Sequence, residues 1–163
     1  MRQLVLRLLD ILRLRSGPQD LPAGWVLASV LSLAYIVQGL IADRLLGEAD
    51  SAPRSLIAIT VQFFVIAVLL HLKKLSGRLP QTISALAGTG LLFGMLSISL
   101  VFQADPEKNQ PGLALVWFGV FLWSIAVDAG IYRHALSIKM NLGVLVAVII
   151  FALNFILLET VLG

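Results

Sequence analysis

Apolar residues in this chain fall into five long runs separated by short polar connections, and a shorter opening stretch alternates with a helical period instead. The runs are Pro22–Ala42, Ser55–Leu72, Pro80–Gln103, Gly112–Tyr132 and Met140–Val161. Each approaches or exceeds the roughly 20 residues that an α-helix needs to cross a hydrocarbon core about 30 Å thick. The second is the shortest, and Arg54 and Lys73 at its ends can reach outward to the headgroups. The pattern predicts an all-α integral membrane protein, a bundle of five transmembrane helices forming one membrane domain over residues 1–163. Pro22, Pro53, Pro80 and Pro111 each stand just before or at the start of a run, where the missing N–H has no helical partner to lose. No proline falls inside a span, so no proline-broken helix of the transporter kind is signalled.

The opening stretch, residues 2–15, reads RQLVLRLLDILRLR. At 100° per residue, Leu4, Val5, Leu8, Leu9, Ile11 and Leu12 share one arc, and Arg2, Gln3, Arg7, Asp10 and Arg13 the opposite one. Charge interrupts it too often for a span. It is expected to be an amphipathic helix lying in the interface, with Arg2, Arg7, Arg13 and Arg15 against anionic headgroups. A signal-peptide reading fails, because the apolar core that should follow is delayed by SGPQDLP.

Composition agrees with the pattern. The 163 residues are 59% hydrophobic and 13% charged, with a mean hydropathy of +0.97. An ordinary soluble domain is about half apolar and a quarter charged. The net charge of +3 and pI near 9.7 would elsewhere raise nucleic acid as a partner. Here the basic residues cluster by loop, which is a membrane-orientation signal and argues for no nucleic-acid partner. Arg2, Arg7, Arg13 and Arg15 precede the first span; Lys73, Lys74 and Arg78 follow the second; Arg133 and Lys139 follow the fourth. The other two loops hold Arg44, Arg54 and Lys108 against Asp43, Glu48, Asp50, Asp105 and Glu107. The positive-inside rule then puts the N-terminus in the cytoplasm and the C-terminus on the far side.

Asp128 is the one acid set clearly inside an apolar run, one turn before Tyr132, Arg133 and His134. An acid in hydrocarbon costs about 2.5–3.5 kcal/mol at mid-bilayer and less near the interface. Its expected place is shallow, near the cytoplasmic end of the fourth span, at a depth similar to His71. Asp128 with His71 is a candidate proton-handling or cation-binding pair. The competing reading, and the favoured one, is a structural ion pair with Arg133, Lys73, Lys74 or Lys139. Gln38, Gln62 and Asn154 read as interhelical hydrogen-bonding groups, and Glu159 as solvated. Trp25, Trp117 and Tyr132 suit an aromatic belt, and Trp123 suits packing. Ser84/Gly88 and Gly90/Gly94 are small-xxx-small pairs on the third span. They predict close approach on two faces and a central place in the bundle, ahead of a homodimer interface.

The chain has no cysteine, two histidines, and no His-Glu-x-x-His, Gly-x-Ser-x-Gly or phosphate-loop motif. Neither a cofactor nor a transition-metal cage is expected. Five spans behind a short basic segment, with SGPQDLP at Ser16–Pro22 leading into the first span, resemble bacterial members of the Yip (Rab-interacting) domain family. The resemblance implies a bacterial inner-membrane protein with no catalytic residues. The Rab role of the eukaryotic members rests on a longer N-terminal region and is not implied. The expected function is that of a non-enzymatic scaffold, partner-binding or membrane-organising subunit with a membrane-protein partner. A small transporter or ion-coupled subunit using Asp128 with His71 is the alternative.

Overall fold

A computed structural model describes residues 2–45, 52–105 and 110–162, with the side chains of residues 43, 52–54, 161 and 162 outside the description. Helix α1 covers Arg2–Leu12, and five long helices follow: α2 (Trp25–Leu45), α3 (Ala52–Leu72), α4 (Leu79–Val101), α5 (Pro111–Leu136) and α6 (Met140–Leu162). All five are long and apolar enough to cross a membrane. The protein is an all-α integral membrane bundle. Glu48, Asp50, Glu107, Lys108 and the side chains of Asp43 and Arg54 lie outside the described residues.

Helices α2, α4, α5, α6 and α3 follow one another around the bundle, α2 against α4 and α5 against α6 making the largest contacts. Outward stripes are built of large apolar side chains: Val26, Val30, Leu33, Val37 and Ile41 recur at helical spacing on α2, all strongly exposed. Inside, α4 is lined with small residues; Thr82, Ser84, Ala85, Ala87, Gly88 and Thr89 are all buried. Small residues let backbones approach where no hydrophobic force separates protein from lipid. The buried hydroxyls return to their own helix: Thr82 to the Arg78 carbonyl, Ser84 to Pro80 and Thr89 to Ala85, each at 2.8 Å.

Three helices stop in the same way, α3 and α5 at one end of the bundle, here the basic end, and α1 against the side of α5. Leu14, Lys74 and Ser137 have φ of 58°, 60° and 51°, the left-handed conformation in which glycine is usual. After α1, Leu14 N–H bonds the Ile11 carbonyl and Arg15 N–H bonds Asp10, both at 2.9 Å. After α3, Lys74 and Leu75 bond back to His71 and Leu70 in the same pattern. The remaining carbonyls of α5 are met by basic side chains. Arg78 donates to the carbonyls of His134 and Ala135 at 3.2 Å and to the Ser137 hydroxyl at 2.7 Å. Lys73 donates to Leu136 at 3.2 Å. Cations at a helix C-terminus also favour the macrodipole.

Helix α1 ends at Leu12 rather than Arg15, and its apolar arc faces protein. Leu8, Ile11 and Leu12 are buried in the core shared with α4 and α5. Gly88 makes room for Leu8 and Gly130 for Leu14; an added Cβ at either would come within 2.7 or 2.8 Å of a leucine methyl. The loop after α1 is held as firmly. Asp20 accepts from the Gly17 N–H at 2.9 Å, Arg7 donates to the Asp20 carbonyl, and Gln81 donates to the Leu21 carbonyl at 2.8 Å. Pro18 and Leu21 are buried beneath it. The arc expected to face acyl chains is thus largely occupied by the bundle.

Candidate functional site

Asp128 lies eight residues before the end of α5, about 12 Å along the axis. The helix is longer than the expected fourth span: α5 continues past Tyr132 to Leu136, and Ile131, Tyr132, Ala135 and Leu136 are all buried by other parts of the chain. The partner of Asp128 is Gln62, at the middle of α3. Gln62 donates through Nε2 to Asp128 Oδ2 at 3.2 Å and to the Tyr132 hydroxyl at 2.9 Å. One amide therefore ties two side chains that stand four residues apart on α5. Tyr132 is fully buried, so its expected place in an interfacial belt is corrected.

His71 does not join this cluster. It stands nine residues beyond Gln62 on α3, about 13 Å of helix rise. It is exposed at the basic end, with its Nδ1 3.5 Å from the Ser76 hydroxyl. The proposed pairing fails because similar distance from a span end does not bring two helices' side chains to one depth. Nor does Asp128 form the expected ion pair. No Lys, Arg or His side chain among the described residues pairs with it, and Lys73 is committed to the end of α5. Arg133 and Lys139 are exposed.

The carboxylate borders a cavity of about 280 Å³ between α2, α3, α4 and α5, lined also by Tyr35, Gln62, Gly90, Phe93 and Ser97. Gly90 and Gly94 line it because α2 presses there. A Cβ on Gly90 would come within 2.7 Å of the Tyr35 ring, and one on Gly94 within 2.5 Å of the Gln38 amide. Gln38 donates to the Leu91 carbonyl at 3.1 Å, but its Oε1 is buried with no partner. Asn154 Oδ1 on α6 is likewise unpartnered. Ser84 and Gly88 face the α1 side of α4, so both small-residue pairs are used within the chain. The cavity adjoins two others that share Ser97: one of about 400 Å³ walled by Phe93, Trp117, Phe118 and Phe121, and one of about 120 Å³ reaching Leu45 and Phe102. Together they lead from Asp128 away from the basic end.

Sequence reading missed three contributors. Tyr35 carried no signal, being one aromatic residue in an apolar run. Gln62 was visible as a polar residue in a span, but not its partner. Trp123, expected only to pack, donates its indole N–H to the Leu12 carbonyl at 2.9 Å and meets Phe93 edge-on at 5.2 Å. Compared with protein-family models, curated proteins and solved structures, the chain matches none of them.

Proposed function

We propose that the chain is a non-enzymatic scaffold, a membrane subunit that holds a partner or organises the lipid around it. The observation carrying this reading is the docked α1. Its apolar arc is seated on a packed bundle, and Arg2, Arg13 and Arg15 are left exposed on the outer side. A basic surface held rigidly in place suits anionic headgroups or an acidic segment of a membrane-protein partner, each basic residue near an anionic surface contributing about 1 kcal/mol. The same proposal includes kinship with the Yip-like proteins, supported by five spans and by Ser16–Pro22 lying as a bound lead into α2. It also places the basic end in the cytoplasm of a bacterial inner membrane. A photo-crosslinker at Arg13, followed by mass spectrometry of adducts from native membranes, tests the reading. Recurrent adducts to one protein or to anionic lipid, lost when Arg2, Arg13 and Arg15 are changed to Gln, are expected. Adducts unaltered by those changes would remove the basic surface as the contact. Orientation is tested separately by single cysteines in intact cells: Ser76→Cys should be shielded from an impermeant thiol reagent and Asn109→Cys labelled.

A second reading, an ion-coupled subunit, is favoured by the cavity beside Asp128. In this form it uses Asp128, Gln62 and Tyr35 rather than His71. A folded Asp128→Asn protein without cellular activity would favour it over the scaffold.

A further inference from the structure

We infer that the Asp128 cavity binds a free amphipathic amine, its ammonium group on the Asp128 carboxylate and its apolar body in the aromatic cleft beyond Ser97. This goes beyond the scaffold reading and deepens the ion-coupled one, on which it rests only for the use of Asp128.

The carboxylate has one hydrogen-bond donor, Gln62 Nε2, reaching Oδ2. An ionised carboxylate accepts at two oxygens and several lone-pair sites, so most of its capacity is unused. A buried carboxyl either keeps its proton or takes a counter-charge, and none of the described basic side chains supplies one. The cavity is lined further by the ring of Phe93 and by Tyr35, Ser97 and Ser124, whose hydroxyls can accept as well as donate. A cation with N–H groups satisfies both the charge and the acceptors, and ring faces attract it further.

Three features narrow the cation. A bare divalent ion takes about six oxygen ligands, and a single carboxylate does not approach that set. The neighbouring cleft of about 400 Å³ is walled mainly by Phe93, Trp117, Phe118 and Phe121, which suits an apolar body attached to the charged head. The two spaces together have the size usual for small-molecule sites. An aminophospholipid would bring a phosphate beside its ammonium. The described cations that could receive one are Lys73 and Arg78, held at the end of α5 about 12 Å of helix rise beyond Asp128, and Arg44, about 13 Å of helix rise beyond Tyr35 on α2, each farther than the phosphate lies from the ammonium in one headgroup. The occupant is therefore a free amine rather than a lipid headgroup.

The test uses the full chain in nanodiscs. Dicyclohexylcarbodiimide, an apolar carboxyl reagent, should modify Asp128, read by peptide mass spectrometry. 4-Phenylbutylammonium should slow that modification at least tenfold. 4-Phenylbutanol, of the same shape without the charge, and sodium chloride should leave it unchanged, as should phosphatidylethanolamine in the nanodisc. Direct binding of the radiolabelled amine should weaken at least tenfold in Asp128→Asn and in Ser97→Phe, which blocks the cleft. No modification of Asp128, no protection by the amine, equal protection by the alcohol, or protection only by phosphatidylethanolamine would each overturn the proposal. The wild-type protein carries the decisive measurement, so a variant that misfolds does not remove the test. Loss of activity in Asp128→Asn without amine protection would sink this inference and leave the ion-coupled reading standing.

Discussion

Trp123 of α5 and Leu12 of α1, 111 positions apart, are joined by a hydrogen bond of 2.9 Å from the indole N–H to the main-chain carbonyl. Leu12 is the last residue of α1, so its carbonyl has no helical partner of its own. The bond occurs near the middle of α5, where Leu12 is buried while Trp123 stays partly exposed, and away from water an unmet carbonyl is expensive. It makes α1 a packed part of the protein rather than a separate amphipathic anchor.

Trp123→Phe should keep the contact with Phe93 and lose only this bond, weakening α1 docking by about 1 kcal/mol. Hydrogen exchange of residues 2–15 should then rise roughly fivefold while α4 and α5 are unchanged. Exchange rising across all helices would mean that the indole supports the bundle and not the docking of α1.

The glycines of α4 separate docking from bundle stability. Gly88→Ala would push only on the flexible end of Leu8, so it should loosen α1 and spare the spans. Gly90→Ala pushes on the Tyr35 ring, which cannot swing away without leaving the cavity, and should cost about 1–3 kcal/mol as overpacking. Gly94→Ala meets a rotatable amide and should cost less, its main loss being the bond from Gln38 to Leu91. Unfolding in detergent titrations gives the order; Gly94→Ala worse than Gly90→Ala would contradict it.

The left-handed caps make the opposite kind of prediction. Lys74 is exposed and held at φ 60°, a conformation costing an L-residue about 1–2 kcal/mol relative to glycine. Lys74→Gly should therefore stabilise the protein by about 1 kcal/mol. Leu14→Gly relieves the same strain but empties the space beside Gly130, so it should gain nothing or destabilise. Equal gains at both positions in thermal melts would show that the Leu14 contact is worthless.

These positions also mark what the sequence discloses and what it does not. Five helices were legible because a span needs about 20 apolar residues, and that length stands out in any window. The central place of α4 was legible from Ser84, Gly88, Gly90 and Gly94, since small residues at that spacing mean close approach. The end of α5 was misplaced because Tyr132, Arg133 and His134 look like an interface. Only tertiary cover, Gln62 of α3 included, makes Tyr132 a core residue. Amphipathicity in α1 was plain, but an apolar arc does not say whether lipid or protein will cover it. Asp128 was found for its cost in hydrocarbon. Its partner was not, because a hydrogen bond from Gln62 across 66 residues leaves no local trace.

The Gln62 bridge sets the order of a final series. Tyr132→Phe leaves Gln62 bonded to Asp128, and Asp128→Asn keeps an acceptor in the same place, so each should cost at most about 1 kcal/mol. Asp128→Leu removes the acceptor and should cost more. Gln62→Met strands both Asp128 and the Tyr132 hydroxyl in the interior and should cost most, about 1–3 kcal/mol for each group left without a partner. Steric trapping or denaturant unfolding in bicelles reads the series. Interhelical hydrogen bonds in membranes average only about 0.6 kcal/mol, because an unfolded span finds other partners. A Gln62→Met cost well above that figure, with Tyr132→Phe near it, would identify the amide as the joint between α3 and α5. Should Gln62→Met prove neutral while Asp128→Leu is severe, water or a ligand in the cavity, and not Gln62, holds the carboxylate.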